Sequence, residues 1–113
     1  MRSISFSLTE PQFLAGTKTV TRRLGWGFLK PGDRLRAVRQ AMGLAKGSHQ
    51  VVLGEIEVLR VSREPLCAIG KAEVAREGFP KMTALEFITF FRTHMRCAFD
   101  QMVTRIEFRR VRP

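Results

Sequence analysis

The sequence is poor in the residues that build metal centres and disulfide frameworks. Its 113 residues include two cysteines, Cys67 and Cys97, and two histidines, His49 and His94. The cysteines are isolated, with no C-x-x-C pair and no histidine at the spacing of a zinc ligand. We therefore expect no metal and no cofactor. The cysteines are interpreted as small, partly buried residues in a reducing compartment, and the histidines as surface residues.

Long apolar runs and familiar catalytic motifs are also missing. No stretch reaches the roughly 20 apolar residues of a membrane-spanning helix, and residues 1–10 lack the apolar region and cleavage site of a signal peptide. The sequence contains no P-loop, dinucleotide fingerprint, H-E-x-x-H motif or nucleophile elbow. These absences predict a soluble, cytoplasmic protein without a membrane partner.

Acidic residues are scarce relative to basic ones. Ten Asp and Glu stand against 20 Lys and Arg, which gives a formal net charge of +10. Such an excess favours a polyanion such as RNA, because cations that neutralise phosphates release bound counterions. The alternative is that the charge only keeps a small protein soluble. Aromatic residues for base stacking are few, with one Trp, no Tyr and nine Phe, most of them at core positions.

Hydrophobic periodicity predicts one small α+β domain over residues 1–113. Ile4, Phe6 and Leu8 alternate with polar residues, as in a half-buried strand. A capping box at Thr9 and a stop at Gly16 bound a short helix. Further strands are predicted at residues 18–23, 34–39, 51–63 and 103–111, with a bulge at Gly54 and with Arg105 and Arg109 pointing outward. Further helices are predicted at 69–76 and after a second capping box at Thr83, where Leu85, Ile88, Phe91 and Met95 form an apolar stripe. About five strands with two or three short helices indicate a curled sheet or a small barrel.

Most of the polar chemistry of the sequence lies in Gly16–Arg23, which reads GTKTVTRR. In an extended strand, Lys18 and Val20 point to one face while Thr21 and Arg23 point to the other. A bulge or the end of the strand could still bring the Lys18 and Thr21 side chains toward one cleft. The other interpretation is a half-exposed strand whose basic face is solvated.

An ordered set of motifs extends over nearly the whole chain. The set begins with G-x-K-x-x-T-x-R from Gly16 and KPGD at residues 30–33. It continues with REGFPKMT at 76–83, FITFFRTHM at 87–95 and VTRIEF at 103–108. Together these motifs resemble the ASCH domain of the PUA-like superfamily, and most closely the small single-domain ASCH proteins of bacteria and their phages. The resemblance implies a small PUA-like β-barrel flanked by helices.

The resemblance also implies candidate functions and residues. Some small ASCH proteins are amidohydrolases that remove the acetyl group from acetylcytidine with a lysine, a threonine and a glutamate, which correspond to Lys18, Thr21 and Glu77. Many relatives carry glutamate at the position of Thr21, so this threonine favours the amidohydrolase. The insertion at residues 78–81 leaves Glu73 as an alternative to Glu77. Other relatives are proposed to bind or cleave RNA.

The chemistry of amide hydrolysis leaves the roles of these residues open. Thr21 could be the nucleophile, and Lys18 a base if burial beside Arg22 or Arg23 lowers its pKa. A nearby ionised Glu77 raises the pKa of Lys18 instead. The cluster therefore works either with Glu77 protonated part of the time, or with Glu77 activating water while a cationic Lys18 binds the oxyanion.

The partner is accordingly a nucleoside or RNA, and the predicted binding residues serve either. Arg23 is a candidate clamp for a base carbonyl or a sugar, with a structural ion pair as the alternative. Trp26 could cover the cleft or stack a base. The remaining candidates are the basic residues Arg22, Arg36 and Arg39. A continuous stripe beside Lys18 would favour RNA, and its members would be Arg34, Arg36, Arg39, Arg105, Arg109 and Arg110.

Overall fold

The computed structural model describes residues 1–112, which form five strands and three α-helices. None of these helices is long and apolar enough to cross a membrane. In chain order the elements are β1 (Ser3–Ser5), α1 (Glu10–Ala15), β2 (Val20–Arg23), β3 (Arg34–Val38), β4 (Val52–Pro65), α2 (Lys71–Arg76), α3 (Ala84–Met95) and β5 (Met102–Val111), with a 3-10 turn at Leu66–Ala68.

The strands form one mixed sheet in the order β1-β3-β4-β5-β2. β1 runs parallel to β3, and the other neighbours are antiparallel. The sequence predicts a curled sheet or a small barrel, and the ASCH resemblance implies a barrel. The sheet is open, since the edge strands β1 and β2, of three and four residues, do not pair within residues 1–112. A side-chain hydrogen bond from Arg23 Nη2 to the carbonyl oxygen of Ser5 (2.6 Å) joins the two edges instead.

The long strand β4 is irregular at two points. Ala37 of β3 pairs with Gly54, whereas Val38 pairs with Val52, so one residue of β4 is left over beside the glycine. This agrees with the bulge predicted at Gly54. A second shift in register lies between Val58 and Arg60, where β4 faces β5. Both irregularities increase the local twist of the sheet.

The main core lies between the sheet and α1. The Phe13 ring of α1 stacks on Phe6 with centroids 4.7 Å apart. The predicted alternation puts Ile4 and Phe6 inside, but Leu8 is exposed because β1 ends at Ser5. The buried members of this core are Ile4, Phe6, Phe13, Leu29, Leu35, Ala37, Ile56, Val58, Ile106 and Phe108.

A second core joins α2 and α3 to the beginning of β5. The sequence predicts that Leu85 and Met95 belong to its apolar stripe, but Leu85 is 64% exposed and Met95 lies at a rim. The inward face of α3 is formed instead by Phe87, Ile88 and Phe91, which follow one another at spacings of one and three residues. The buried members are Leu66, Ile69, Val74, Phe87, Ile88, Phe91 and Val103.

The two predicted capping boxes behave differently. Thr83 has the extended backbone of an N-cap (ψ 166°), and its hydroxyl accepts from the Glu86 N–H while Glu86 returns a bond to the Thr83 N–H. Thr9 has ψ 28° and makes no side-chain cap hydrogen bond, so the capping box predicted there is wrong. Gly16 does end α1, in the left-handed region at φ 79°.

Phe13→Ala is expected to lower the free energy of unfolding by about 3–5 kcal/mol, because it removes a fully buried ring and leaves a cavity between the sheet and α1. Phe28→Ala is the control, since the Phe28 ring is exposed. Chemical denaturation monitored by circular dichroism measures both. Similar losses for the two variants would contradict the described core.

Candidate functional site

A cleft of about 220 Å³ opens between the loop after β1, the beginning of β2 and helix α3. Its polar side is formed by Lys18, Thr21, Arg22, Arg23 and Glu77. Its apolar side comes mainly from the region before α3 and from α3 itself, and consists of Phe79, Phe87, Phe90, Phe91 and Met95. The cleft therefore combines a charged end with an aromatic wall.

Lys18 and Glu77 form a buried ion pair at the charged end of the cleft. Lys18 is 5% and Glu77 3% exposed. Lys18 Nζ donates to Glu77 Oε1 at 2.8 Å and to the Glu77 carbonyl oxygen at 2.8 Å. Lys18 precedes β2, so strand alternation does not separate its side chain from that of Thr21. Burial lowers the pKa of Lys18 below its usual value, although Glu77 opposes the shift.

Gly78 permits the close approach that makes this pair. Its φ is 105°, a backbone conformation that favours glycine. A Cβ at this position would lie 2.8 Å from the Gln12 side chain and 3.5 Å from that of Lys18. The segment after α2 can therefore pack against α1 and Lys18 because residue 78 has no side chain.

Arg22 binds the second oxygen of the Glu77 carboxylate. It is 3% exposed, and its Nη1 donates to Glu77 Oε2 at 2.9 Å. Its Nη2 donates to Glu73 (2.8 Å) and Glu64 (3.3 Å), and its buried Nε has no partner within residues 1–112. The interpretation of this strand as a solvated basic face is therefore wrong, because carboxylates from other elements cover it.

Thr21 and Arg23 lie together on the cleft wall. Arg23 Nε donates to Thr21 Oγ1 at 3.0 Å, and the guanidinium lies 5.2 Å from the centre of the Phe6 ring. Burial lowers the pKa of Arg23 to about 10, so it remains protonated at neutral pH. Within residues 1–112, no hydrogen bond links Thr21 to Lys18 or Glu77. The hydroxyl proton of Thr21 therefore remains available to a ligand.

Glu73, the alternative to Glu77, lies outside the cleft lining. Its carboxylate accepts from Arg105 Nε at 2.5 Å and from Arg22. The hydrogen bond from Arg105 is the main cause that lowers the pKa of Glu73 to about 2. The prediction that Arg105 points outward is wrong, since this side chain folds onto Glu73. The contact with Lys18 is made by Glu77.

Three of the predicted binding residues do not line the cleft. Trp26 packs against the main core and stacks on Phe28 with centroids 5.6 Å apart. Arg39 forms a salt bridge to Glu10 at 2.7 Å, and Arg36 is exposed on β3. These positions depend on loop and strand packing that local motifs do not encode.

The aromatic wall includes residues that the sequence predicts in the core or on the surface. His94 reaches the cleft from the last turn of α3, with its ring 4.5 Å from Phe90 and Nδ1 2.9 Å from the Phe90 carbonyl oxygen. Because a carbonyl only accepts, Nδ1 carries the proton. The spacing of Phe87, Phe90, Phe91 and His94 on one helical face is the signal that marks this wall.

The proposed arginine stripe is interrupted by carboxylates. Arg34 pairs with Glu55, Arg109 with Glu57, and Arg105 with Glu73. Arg110 lies over the Phe13 ring at 4.9 Å instead. A second groove of about 560 Å³, away from the aromatic wall, is lined by residues 14–16, 18–19 and 108–112.

Metal-ligating side chains are not gathered anywhere in residues 1–112. No group of three or more His, Cys, Asp or Glu in this range could hold a metal ion. Cys67 and Cys97 are both free and partly buried.

The fold and the cleft define an α+β protein with an open five-stranded mixed sheet and a buried lysine, arginine and glutamate cluster. Its structure is similar to that of protein EF3133 from Enterococcus faecalis V583, which is assigned to the family DUF984. The TM-score is 0.62 at 15% sequence identity, covering 93% of this chain and 71% of that chain, a likeness that concerns the fold alone. No protein-family model matches the sequence, and no curated protein matches it significantly.

Glu73→Gln is expected to lower stability by about 1–2 kcal/mol at neutral pH, with solvent screening taken into account. The pKa of Glu73 is lowered from 4.5 to about 2 in the folded protein, so its contribution is fully present above pH 4.5 and is lost as the pH falls toward 2. Unfolding free energies of both proteins from pH 7 to 2 measure this. A difference that stays constant over the range would contradict the role of the ion pairs.

Proposed function

We propose that this protein is an amidohydrolase that removes the acyl group from acetylcytidine or a related acylated pyrimidine nucleoside. The observation that carries the proposal is one cleft that contains Lys18, Thr21 and Glu77. These are the residues to which the ASCH-like motifs assign this chemistry. Membership of the ASCH domain and PUA-like superfamily is part of the same proposal. The two free cysteines support a reducing compartment such as the cytoplasm.

The geometry favours water, rather than Thr21, as the nucleophile. Thr21 has no base within hydrogen-bond distance in residues 1–112, whereas Glu77 has lone pairs beyond those that Lys18 and Arg22 occupy. Glu77 accepts a proton from water as the water oxygen attacks the acyl carbon. The carbon–nitrogen bond then breaks, and the proton passes to the leaving amine to give a carboxylic acid and the free amine.

Lys18 acts as the oxyanion donor in this scheme. Two of its three N–H groups donate to Glu77, which leaves the third for the carbonyl oxygen of the substrate. Burial lowers the pKa of Lys18, and contact with the Glu77 carboxylate opposes this shift and favours the cationic form. The low dielectric of the buried site strengthens the attraction of the cation to a developing negative charge. Thr21 and Arg23 supply further donors on the same wall.

The size and lining of the cleft favour a small planar substrate. Its volume of about 220 Å³ is below the roughly 300–1,000 Å³ of pockets for drug-sized ligands. Phe79, Phe90 and Phe91 offer ring faces and edges against which a pyrimidine can pack. The charged end then faces the acylated amine.

Lys18→Met and Glu77→Gln are each expected to reduce kcat/KM for acetylcytidine at least about 100-fold, because each removes a group that acts in the transition state. Chromatographic detection of released cytidine measures the rate. Lys81→Met is the matched control, since Lys81 is exposed and lies outside the cleft.

Absence of turnover by the wild-type protein, or full activity in folded Lys18→Met and Glu77→Gln, would contradict the proposal. Circular dichroism establishes that each variant is folded. Thr21→Val separates the two mechanisms. If Thr21 only donates a hydrogen bond, the variant keeps measurable activity and no acyl group accumulates on the wild-type protein. An acylated Thr21 found by mass spectrometry would instead assign the nucleophile to its hydroxyl.

The second groove favours RNA binding as a second candidate function. Arg110 and Arg112 line this groove and form no salt bridge within residues 1–112, so their charges remain available to phosphates. The groove is also larger than the cleft, at about 560 Å³. An extended strand with phosphates along it suits this site better than an uncharged nucleoside does.

Arg110→Gln/Arg112→Gln is expected to weaken single-stranded RNA binding and to reduce the slope of log affinity against log salt by about 1.4, since two phosphate contacts are lost. Fluorescence anisotropy at several salt concentrations measures the slope. Lys30→Gln/Lys81→Gln is the control, since it removes the same charge at residues outside the cleft and the second groove. An equal loss in this control would assign the effect to net charge alone.

A further inference from the structure

Arg23 differs from the other cations of the cleft because no carboxylate neutralises it. Lys18 and Arg22 both contact Glu77, at 2.8 and 2.9 Å. Arg23 donates only to neutral oxygens, namely Thr21 Oγ1 at 3.0 Å and the Ser5 carbonyl at 2.6 Å, and forms no salt bridge within residues 1–112. Arg23 is partly buried, and a charge that is partly removed from water without a counterion is costly. The site is therefore short of an anion.

The charges that line the cleft point the same way. Three cations, Lys18, Arg22 and Arg23, face a single carboxylate, that of Glu77. Arg22 is neutralised further from outside the cleft by Glu73 and Glu64. The excess positive charge thus belongs to Arg23. Its pKa of about 10 keeps it protonated at neutral pH.

The wall opposite these cations limits the kind of anion. Phe79, Phe87, Phe90 and Phe91 cannot solvate a second charge, and they suit a short apolar group. One guanidinium with two of its five N–H groups used can bind both oxygens of a carboxylate. A tetrahedral dianion such as phosphate would need more cations and would place charge against the rings.

We propose that the cleft is a binding site for a small monocarboxylate, held by the free N–H groups of Arg23 and the hydroxyl of Thr21, with its apolar part against the phenylalanine wall. The source of the ligand rests on the proposed function, because hydrolysis of an acyl amide with water yields an amine and a carboxylate. The acid product then stays in the cleft and inhibits the enzyme. Carboxylate binding itself requires no turnover.

The test is a titration of the protein with sodium acetate against sodium chloride at equal ionic strength, followed by amide chemical shifts in two-dimensional NMR. Saturable shifts at Thr21, Arg23 and Phe90 with acetate but not chloride are expected. Arg23→Gln should weaken acetate binding at least about tenfold. Arg60→Gln, which removes an exposed arginine outside the cleft, should leave the affinity unchanged.

Three results of the binding experiments would overturn the proposal. They are no saturable acetate binding by the wild-type protein, unchanged affinity in folded Arg23→Gln, and tighter binding of inorganic phosphate than of acetate. If Arg23→Gln does not fold, Arg23→Lys and Thr21→Val take its place, with weaker binding expected in both.

The failure of this site and the failure of the proposed function are distinguishable. Acetate binding without hydrolysis of acetylcytidine supports the site and removes the amidohydrolase. Hydrolysis that acetate does not inhibit competitively supports the amidohydrolase and overturns the product site.

Discussion

The buried contact of Lys18 and Arg22 with Glu77 is the interaction on which the rest of the structure depends. Its partners are 59 and 55 residues apart in sequence, so it joins the residue after α2 to the edge strand β2 and to Lys18 just before that strand. Removing water from three charges is costly, and the contact repays this only because each oxygen of the carboxylate has its own cation. Loss of the Glu77 carboxylate would leave Lys18 buried without a counterion, at a cost of about 3–5 kcal/mol.

The helix α2 and the residue that follows it divide two carboxylates between two tasks. Glu73 and Glu77 are four residues apart and therefore lie on the same side of the chain. Glu73 is drawn to Arg105 and Arg22 outside the cleft, which leaves Glu77 to line it. Arg22 contacts both carboxylates and links the cleft to the surrounding ion pairs. The charged end of the cleft is thus held in part by Glu73 and Arg105, which lie outside the cleft lining.

Local features of the structure were predictable from the sequence. The bounds of α1, its end at Gly16 and the capping box at Thr83 depend on neighbouring residues, and the structure contains all of these features. The capping box predicted at Thr9 is absent. The five strands also follow from hydrophobic alternation. Whether the sheet closes into a barrel could not be predicted in this way, because this depends on whether two short edge strands, distant in sequence, pair with each other.

The candidate site was predictable only in part. The segment from Gly16 to Arg23 stands out by composition, and the resemblance to the ASCH domain supplied Glu77 as a partner for Lys18. The covering of Arg22, the position of Trp26 and the role of the α3 phenylalanines in the cleft arise from contacts between distant segments. Composition suggested a solvated basic strand, whereas carboxylates far away in the chain determine its burial.

The gap between β1 and β2 gives the open sheet a mechanical consequence. Arg23 spans this gap through its bond to Ser5, and the same side chain faces the cleft. A ligand bound to Arg23 would therefore stabilise the contact between the two edge strands. Local opening between β1 and β2, which amide hydrogen exchange at Ser5 and Arg23 measures, would then become rarer when the cleft is occupied.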